Sequence, residues 1–278
     1  MLVAALLFSL MGVLVKQAST HFSSGELVFY RSAFGLVTVW LGIALARRQW
    51  FAPLVTPHVW AHFKRGLAGF VALVLFFHAL AQLPLATAVT LNYTAPLFLA
   101  LLSAWWLHER HGRGLLLAVG IGFAGIVLLL RPVLDQRDWL PAVMGLASGF
   151  LAAVAYVNIK RLGRLGEPEW RVVFHFTLLS TIGGAAWMAV VDFNPPRPAD
   201  LPTLLGLGVT ATLAQLALTR AYQRGRTLVV GALAYATVGF SALYGVALFG
   251  ESLPAIAWLG MTLVAAAGIL ATRVSAQR

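Results

Sequence analysis

Residues 86–107 read ATAVTLNYTAPLFLALLSAWWL, 22 positions without a charge, closed by His108-Glu109-Arg110. A helix of about 20 residues crosses the hydrocarbon core of a bilayer. A bilayer accepts only helices or closed barrels, because unpaired backbone groups cannot face lipid. A barrel strand would alternate apolar and polar residues over about ten positions, and this stretch does not. It predicts a membrane-spanning helix.

The same pattern recurs along the chain. Spans are expected at Leu2–Lys16, Glu26–Ala46, His62–Ala81, Ala86–Leu107, Gly114–Arg131, Trp139–Lys160, Trp170–Val191, Leu201–Tyr222, Thr227–Phe249 and Pro254–Arg273. Short connectors punctuated by proline and charge separate them, as in Asn194-Pro195-Pro196-Arg197-Pro198. Sixty per cent of the 278 residues are hydrophobic, only 10% are charged, and mean hydropathy is +0.85. A globular domain carries roughly 25% charged residues, so this chain could not solvate its own surface. The fold class is all-α, a polytopic membrane protein of about ten transmembrane helices. The first span starts at residue 2 with no basic n-region or cleavage site of a signal peptide, which predicts a lead-in segment ahead of it. There are no cysteines, which removes disulfides, thiolate metal sites and cysteine nucleophiles.

The net charge of +11 resides in the connectors. With the N-terminus in the cytoplasm, the inner connectors and tail hold 15 basic residues, Lys64 and Arg65 among them. The outer connectors hold 4 (Lys16, Arg131, Arg137 and Arg197), and Arg31 lies inside the second span. That bias orients both termini to the cytoplasm of a bacterial inner membrane. No long basic run exists to grip a phosphate backbone, so nucleic acid is not expected as a partner.

The chain also resembles itself. A shift of 142 residues carries Ala79, Tyr93, Phe98, Glu109 and Arg131 onto Ala221, Tyr235, Phe240, Glu251 and Arg273. A shift of 144 carries Leu7–Lys16 onto Leu151–Lys160. Residues 1–132 and 139–278 thus form two five-span halves. Five is odd, so the second half enters the membrane inverted, an arrangement in which transporters place their site near the midplane between halves.

The stretch from Tyr93-Thr-Ala-Pro96-Leu-Phe through Trp106-Leu-His-Glu109 to Gly120, Gly122, Gly125 and Arg131 resembles the EamA repeat of the drug/metabolite transporter superfamily. The second copy, Tyr235 to Phe249-Gly250-Glu251 and on to Gly260 and Gly268, is similar. It departs at Val238, where the first has Pro96, and at Ala234, where the first has Asn92. The resemblance covers the whole chain and implies ten helices in two inverted halves. Within the superfamily the chain is similar to bacterial amino-acid exporters, including those of aromatic amino acids, which implies outward transport.

Polar groups inside spans are costly, and an ionisable one is a functional candidate. The candidates for substrate binding are Arg31, His78, Asn92, Tyr93, Tyr156, His175, Gln215 and Tyr235. A helix–helix hydrogen bond is the bland alternative for each, and Arg31 could instead snorkel to the interface. Spans five and ten contribute almost nothing polar, which suits a peripheral place or a homodimer contact; the protein is expected as a monomer or such a dimer. Glu109 and Glu251 are read as structural carboxylates at helix ends, paired with nearby arginines. No Asp or Glu falls mid-span, so His78 or His175 would be the titrating group if protons are coupled. Gly120-x-Gly122-x-x-Gly125 lies within an apolar span and serves close helix packing, not a dinucleotide. His58/His62 and His108/His111 lack a matching carboxylate set, and no metal or cofactor is expected.

These features point to a secondary transporter that exports a small metabolite, expected to be a neutral or aromatic amino acid, by alternating access with bending at Pro96. No ATP-binding motif is present, so gradients would drive it. The alternatives are a membrane-embedded enzyme acting on lipids, a transporter of a nucleobase, sugar or lipid, and a non-transporting scaffold. Enzyme chemistry needs paired carboxylates, a Ser/His pair or a metal cluster at membrane depth, and the intramembrane serines have no repeated partner. A scaffold needs no polar residues on eight spans.

Overall fold

A computed structural model describes residues 1–48, 55–106, 139–191, 193–225 and 233–276, with 114, 117, 120–122, 124–128 and 230. Its helices are α1 (Leu2–Ala18), α2 (Ser24–Arg47), α3 (Val59–Gln82), α4 (Leu85–Asn92), α5 (Ala95–Trp106), α6 (Trp139–Arg164), α7 (Glu169–Val190), α8 (Leu201–Arg224), α9 (Ala236–Phe249) and α10 (Ala255–Ala276). Five of them (α2, α3, α6, α7 and α8) lie in stretches long and apolar enough to cross a bilayer. Large apolar side chains such as Leu45, Trp60, Val127, Val190 and Leu243 point outward, while Glu26, Arg31, Arg65 and Gln215 are buried. That distribution suits a hydrocarbon solvent.

Local chemistry sets the helix ends. Ser23 caps α2 in a reciprocal pair with Glu26, whose carboxylate also accepts from the Asn194 backbone and side chain. The fourth span, expected as one helix over Ala86–Leu107, breaks at Tyr93-Thr94 into α4 and α5. Pro96 has no N–H to offer the Asn92 carbonyl four residues back, and the Thr94 hydroxyl takes the Leu91 carbonyl at 2.6 Å. The second half breaks at Tyr235 as well, just ahead of α9, although Val238 stands where Pro96 stood.

Packing follows the two-half arrangement. The most extensive contacts are α3 with α6, α2 with α7 and α1 with α8. Replace each span by the one five places on, and the main pairs map onto one another. Third-with-sixth becomes eighth-with-first, second-with-eighth becomes seventh-with-third, and first-with-ninth becomes sixth-with-fourth. Second-with-seventh and fourth-with-ninth map onto themselves. The fifth span meets α10 through small residues: a Cβ on Gly125 would come within 2.9 Å of the Gly260 carbonyl oxygen. The fold is therefore an all-helical membrane bundle built of two repeats.

Candidate functional site

A cavity of about 80 Å³ lies at the centre of the bundle, lined from α1, α2, α3, α4, α6, α7, α8 and α9 and the Tyr93 break. On α3 the lining positions are Arg65, Gly69, Ala72, Leu73 and Phe76. At 100° per residue these five fall on one stripe. The fifth and tenth spans contribute nothing to it among the described residues.

Five of the eight polar residues expected at the site line this cavity: Arg31, Asn92, Tyr93, Tyr156 and Gln215. Asn92 donates to Ser148 on α6 at 2.9 Å, Tyr156 stacks on Tyr222 at 4.7 Å, and Gln215 is buried beside Thr219. Arg31 is buried to 3% exposure, so it does not snorkel. Three of the expected residues are not among its lining. His78 falls on the side of α3 opposite the lining stripe. His175, one residue from the lining Phe176, turns away to stack on His62 at 4.2 Å. The Tyr235 hydroxyl lies against Gly268 of α10, where a Cβ would find no room.

Arg65 is the residue that sequence reasoning misplaced. Beside Lys64 at the edge of a span, it counts as an interfacial charge; in the structure it is 3% exposed and lines the cavity. Its side chain runs along α3 to Gly69, where a Cβ would sit 2.2 Å from Nη1 and 2.9 Å from Phe176 Cε2. The missing side chain at Gly69 is the one sequence signal that leaves room for it. The positive-inside bias survives the loss of one residue from the inner count.

Both cavity arginines rest on one ring: Arg65 Cζ lies 4.0 Å and Arg31 Cζ 5.6 Å from the Phe176 centroid. Arg31 Nε and Arg65 Nε and Nη1 are buried without a hydrogen-bond partner among the described residues. Each cation–π contact returns about 0.5–2 kcal/mol. An unpaired buried ion costs several kcal/mol, so the protein by itself leaves these charges undercompensated.

The carboxylates serve elsewhere. Glu167 follows Gly166, which turns the chain at φ +80°. It accepts from Thr56 and from Arg171 Nη1 at 3.0 Å, and lies 3.5 Å from His62 Nε2. Among the described residues no three His, Asp or Glu side chains assemble as a metal set. Glu251 follows Gly250, at φ +60°, and its oxygens accept from the Leu85 N–H at the start of α4. Its ionic partner is Lys16 at 2.7 Å, a lysine where an arginine was expected. Glu109 lies outside the described residues.

A membrane bundle of two inverted halves, with a cavity lined from both and polar side chains set into a largely apolar wall, has the architecture of a membrane transporter. The chain belongs to the EamA-like transporter family, whose model matches residues 1–131 and again 139–273. It is 31% identical over 275 residues to the pseudopaline exporter of Pseudomonas aeruginosa, covering 97% of this chain and 93% of that protein. It is 26% identical over 280 residues to a riboflavin transporter of Rhizobium johnstonii, covering 100% and 91%. An S-adenosylmethionine uptake transporter of Rickettsia prowazekii is 22% identical over 246 residues, with 87% and 81% covered. A solved crystal structure shares the fold at a TM-score of 0.72 and 24% identity, over 99% of this chain and 96% of that one.

Proposed function

We propose that this protein is a secondary transporter that exports a small carboxylate-bearing metabolite across the bacterial inner membrane by alternating access. Residues 1–132 and 139–278 act as the moving halves, and both termini face the cytoplasm. The observation that carries this reading is the central cavity, walled by polar groups from both halves. Ligand pockets typically measure about 300–1,000 Å³, so a cavity of about 80 Å³ admits cargo only when helices part. The neutral or aromatic amino acid expected from sequence would set its carboxylate on a guanidinium and its ring against Tyr93 or Tyr156. The pseudopaline exporter supports outward transport; the relatives named for riboflavin and S-adenosylmethionine support a small-metabolite cargo. The unit is a monomer, or a homodimer meeting through the fifth span and α10. Counterflow in proteoliposomes preloaded with amino acids and other small carboxylates tests the reading. Saturable accumulation of any of them supports it, and a blank from folded, reconstituted protein overturns it.

A further inference from the structure

The charge balance of the cavity says more about the cargo than its shape does. Arg31 and Arg65 are permanently cationic, each only 3% exposed, and both line the same small space against the same phenyl ring. Among the described residues no Asp or Glu lines that space. Each of the five carboxylates among the described residues is engaged elsewhere: Glu26 by Ser23 and Asn194, and Glu167 by Thr56, His62 and Arg171. Glu169 pairs with Arg224, Asp200 faces His21, and Glu251 pairs with Lys16. The Thr237 hydroxyl is on the same wall, beside the Tyr93 side chain. Among the described residues the wall thus offers N–H and O–H donors and two positive charges, and no negative one.

We propose that the cargo is a dianion bearing two carboxylates, one received by Arg31 and the other by Arg65, with Phe176 as the shared platform between the guanidiniums. A single carboxylate, even one bridging both guanidiniums, would leave one positive charge uncompensated, whereas two neutralise both and supply oxygen acceptors for their planar N–H forks. Asn92, Tyr156 and Gln215 complete the wall and can meet a polar backbone between the carboxylates. This assignment rests on the transport reading above and narrows its substrate class.

The test is counterflow in proteoliposomes with α,ω-dicarboxylates from malonate to azelate, glutamate, 2-aminoadipate and citrate. Leucine and phenylalanine serve as neutral controls and glycerol 3-phosphate as a phosphate dianion. Dicarboxylates should exchange in preference to the neutral amino acids. Arg31→Gln and Arg65→Gln should each lower dicarboxylate exchange by about tenfold or more. With the matching monocarboxylate, in which one carboxylate is replaced by methyl, one of the two substitutions should become silent. A second readout separates cargo binding from a structural role. Removing an uncompensated buried charge should hold or raise the thermal unfolding temperature of the unliganded protein, while abolishing the rise that the best dicarboxylate produces. Exchange of neutral amino acids without dicarboxylates leaves the transport reading standing and overturns this one, as does exchange of the phosphate ester alone. Unfolding temperatures that fall in both variants also overturn it. A panel blank throughout overturns both readings.

Discussion

Gly69 is the residue on which the cavity's chemistry turns. In a helix, alanine is favoured over glycine by about 1 kcal/mol, yet a Cβ here would meet Arg65 Nη1 at 2.2 Å. Gly69→Ala should displace the guanidinium and lower transport about tenfold, or roughly 1.4 kcal/mol, in protein that still folds. Gly42→Ala, where nothing lies within 4 Å of the added Cβ, should leave transport unchanged. Exchange rates matched to reconstituted protein check both. Glu167 makes a different prediction. Burial alone would raise its pKa, but hydrogen bonds from Thr56 and Arg171 and the nearby His62 and Arg171 charges outweigh burial and hold it below the ordinary 4.5. A folded value below the unfolded one gives stability that is complete above the unfolded pKa and is lost as pH falls through the folded one. Glu167→Gln should therefore be less stable than the parent at neutral pH, with the gap closing as pH drops below 4.5. Thermal unfolding in detergent across pH reads this, and a gap independent of pH would refute it. At this scale sequence reasoning located the polar residues stranded in apolar runs, such as Arg31, Asn92 and Gln215. It could not locate Arg65, because an arginine beside a lysine at a span edge looks interfacial until its side chain is seen turning inward along α3. Nor could it separate Tyr93 from Tyr235, since only packing shows which hydroxyl meets α10.

The broken fourth helix is the element most closely tied to the site. At Gly149 of α6 a Cβ would lie 2.5 Å from the Thr94 hydroxyl oxygen and 2.7 and 2.8 Å from the Leu91 and Asn92 carbonyl oxygens. Two of those three atoms are backbone and cannot swing aside. Gly149→Ala should destabilise the protein by about 1–3 kcal/mol, as overpacking does. Pro96→Ala should cost less than about 1 kcal/mol, because the second half keeps the break at Tyr235 with Val238 in the corresponding place. Paired thermal unfolding of the two variants measures the contrast, and a larger loss for Pro96→Ala would show that proline makes the break. The same elements show what sequence could convey about the fold. Long charge-free runs marked the spans, but hydropathy is blind to a two-residue interruption, and the fourth span looked continuous. The two left-handed glycines were equally silent. Gly166 and Gly250 each precede a glutamate that reaches a distant part of the chain, Glu167 to Thr56 ahead of α3 and Glu251 to the start of α4. Such long-range partners lie beyond any local pattern.

Across the whole molecule the two halves exchange their packing partners, but they do not share the cavity's charge. Arg31 and Arg65 both belong to the first half, while the second supplies Tyr156, Phe176, Gln215 and Thr237. The charge asymmetry has an electrical consequence. With a dianion aboard, the centre of the carrier is close to neutral; empty, it holds two positive charges in the membrane field. Were such a cargo exported as proposed, each cycle would move two negative charges outward, and an inside-negative potential would favour that by about 2.3 kcal/mol per charge at 100 mV. Efflux of a dicarboxylate from preloaded vesicles should accelerate when a potassium diffusion potential makes the interior negative, and slow when it is reversed. On these terms the cell's own voltage pulls the cargo out, with no second ion bound or returned.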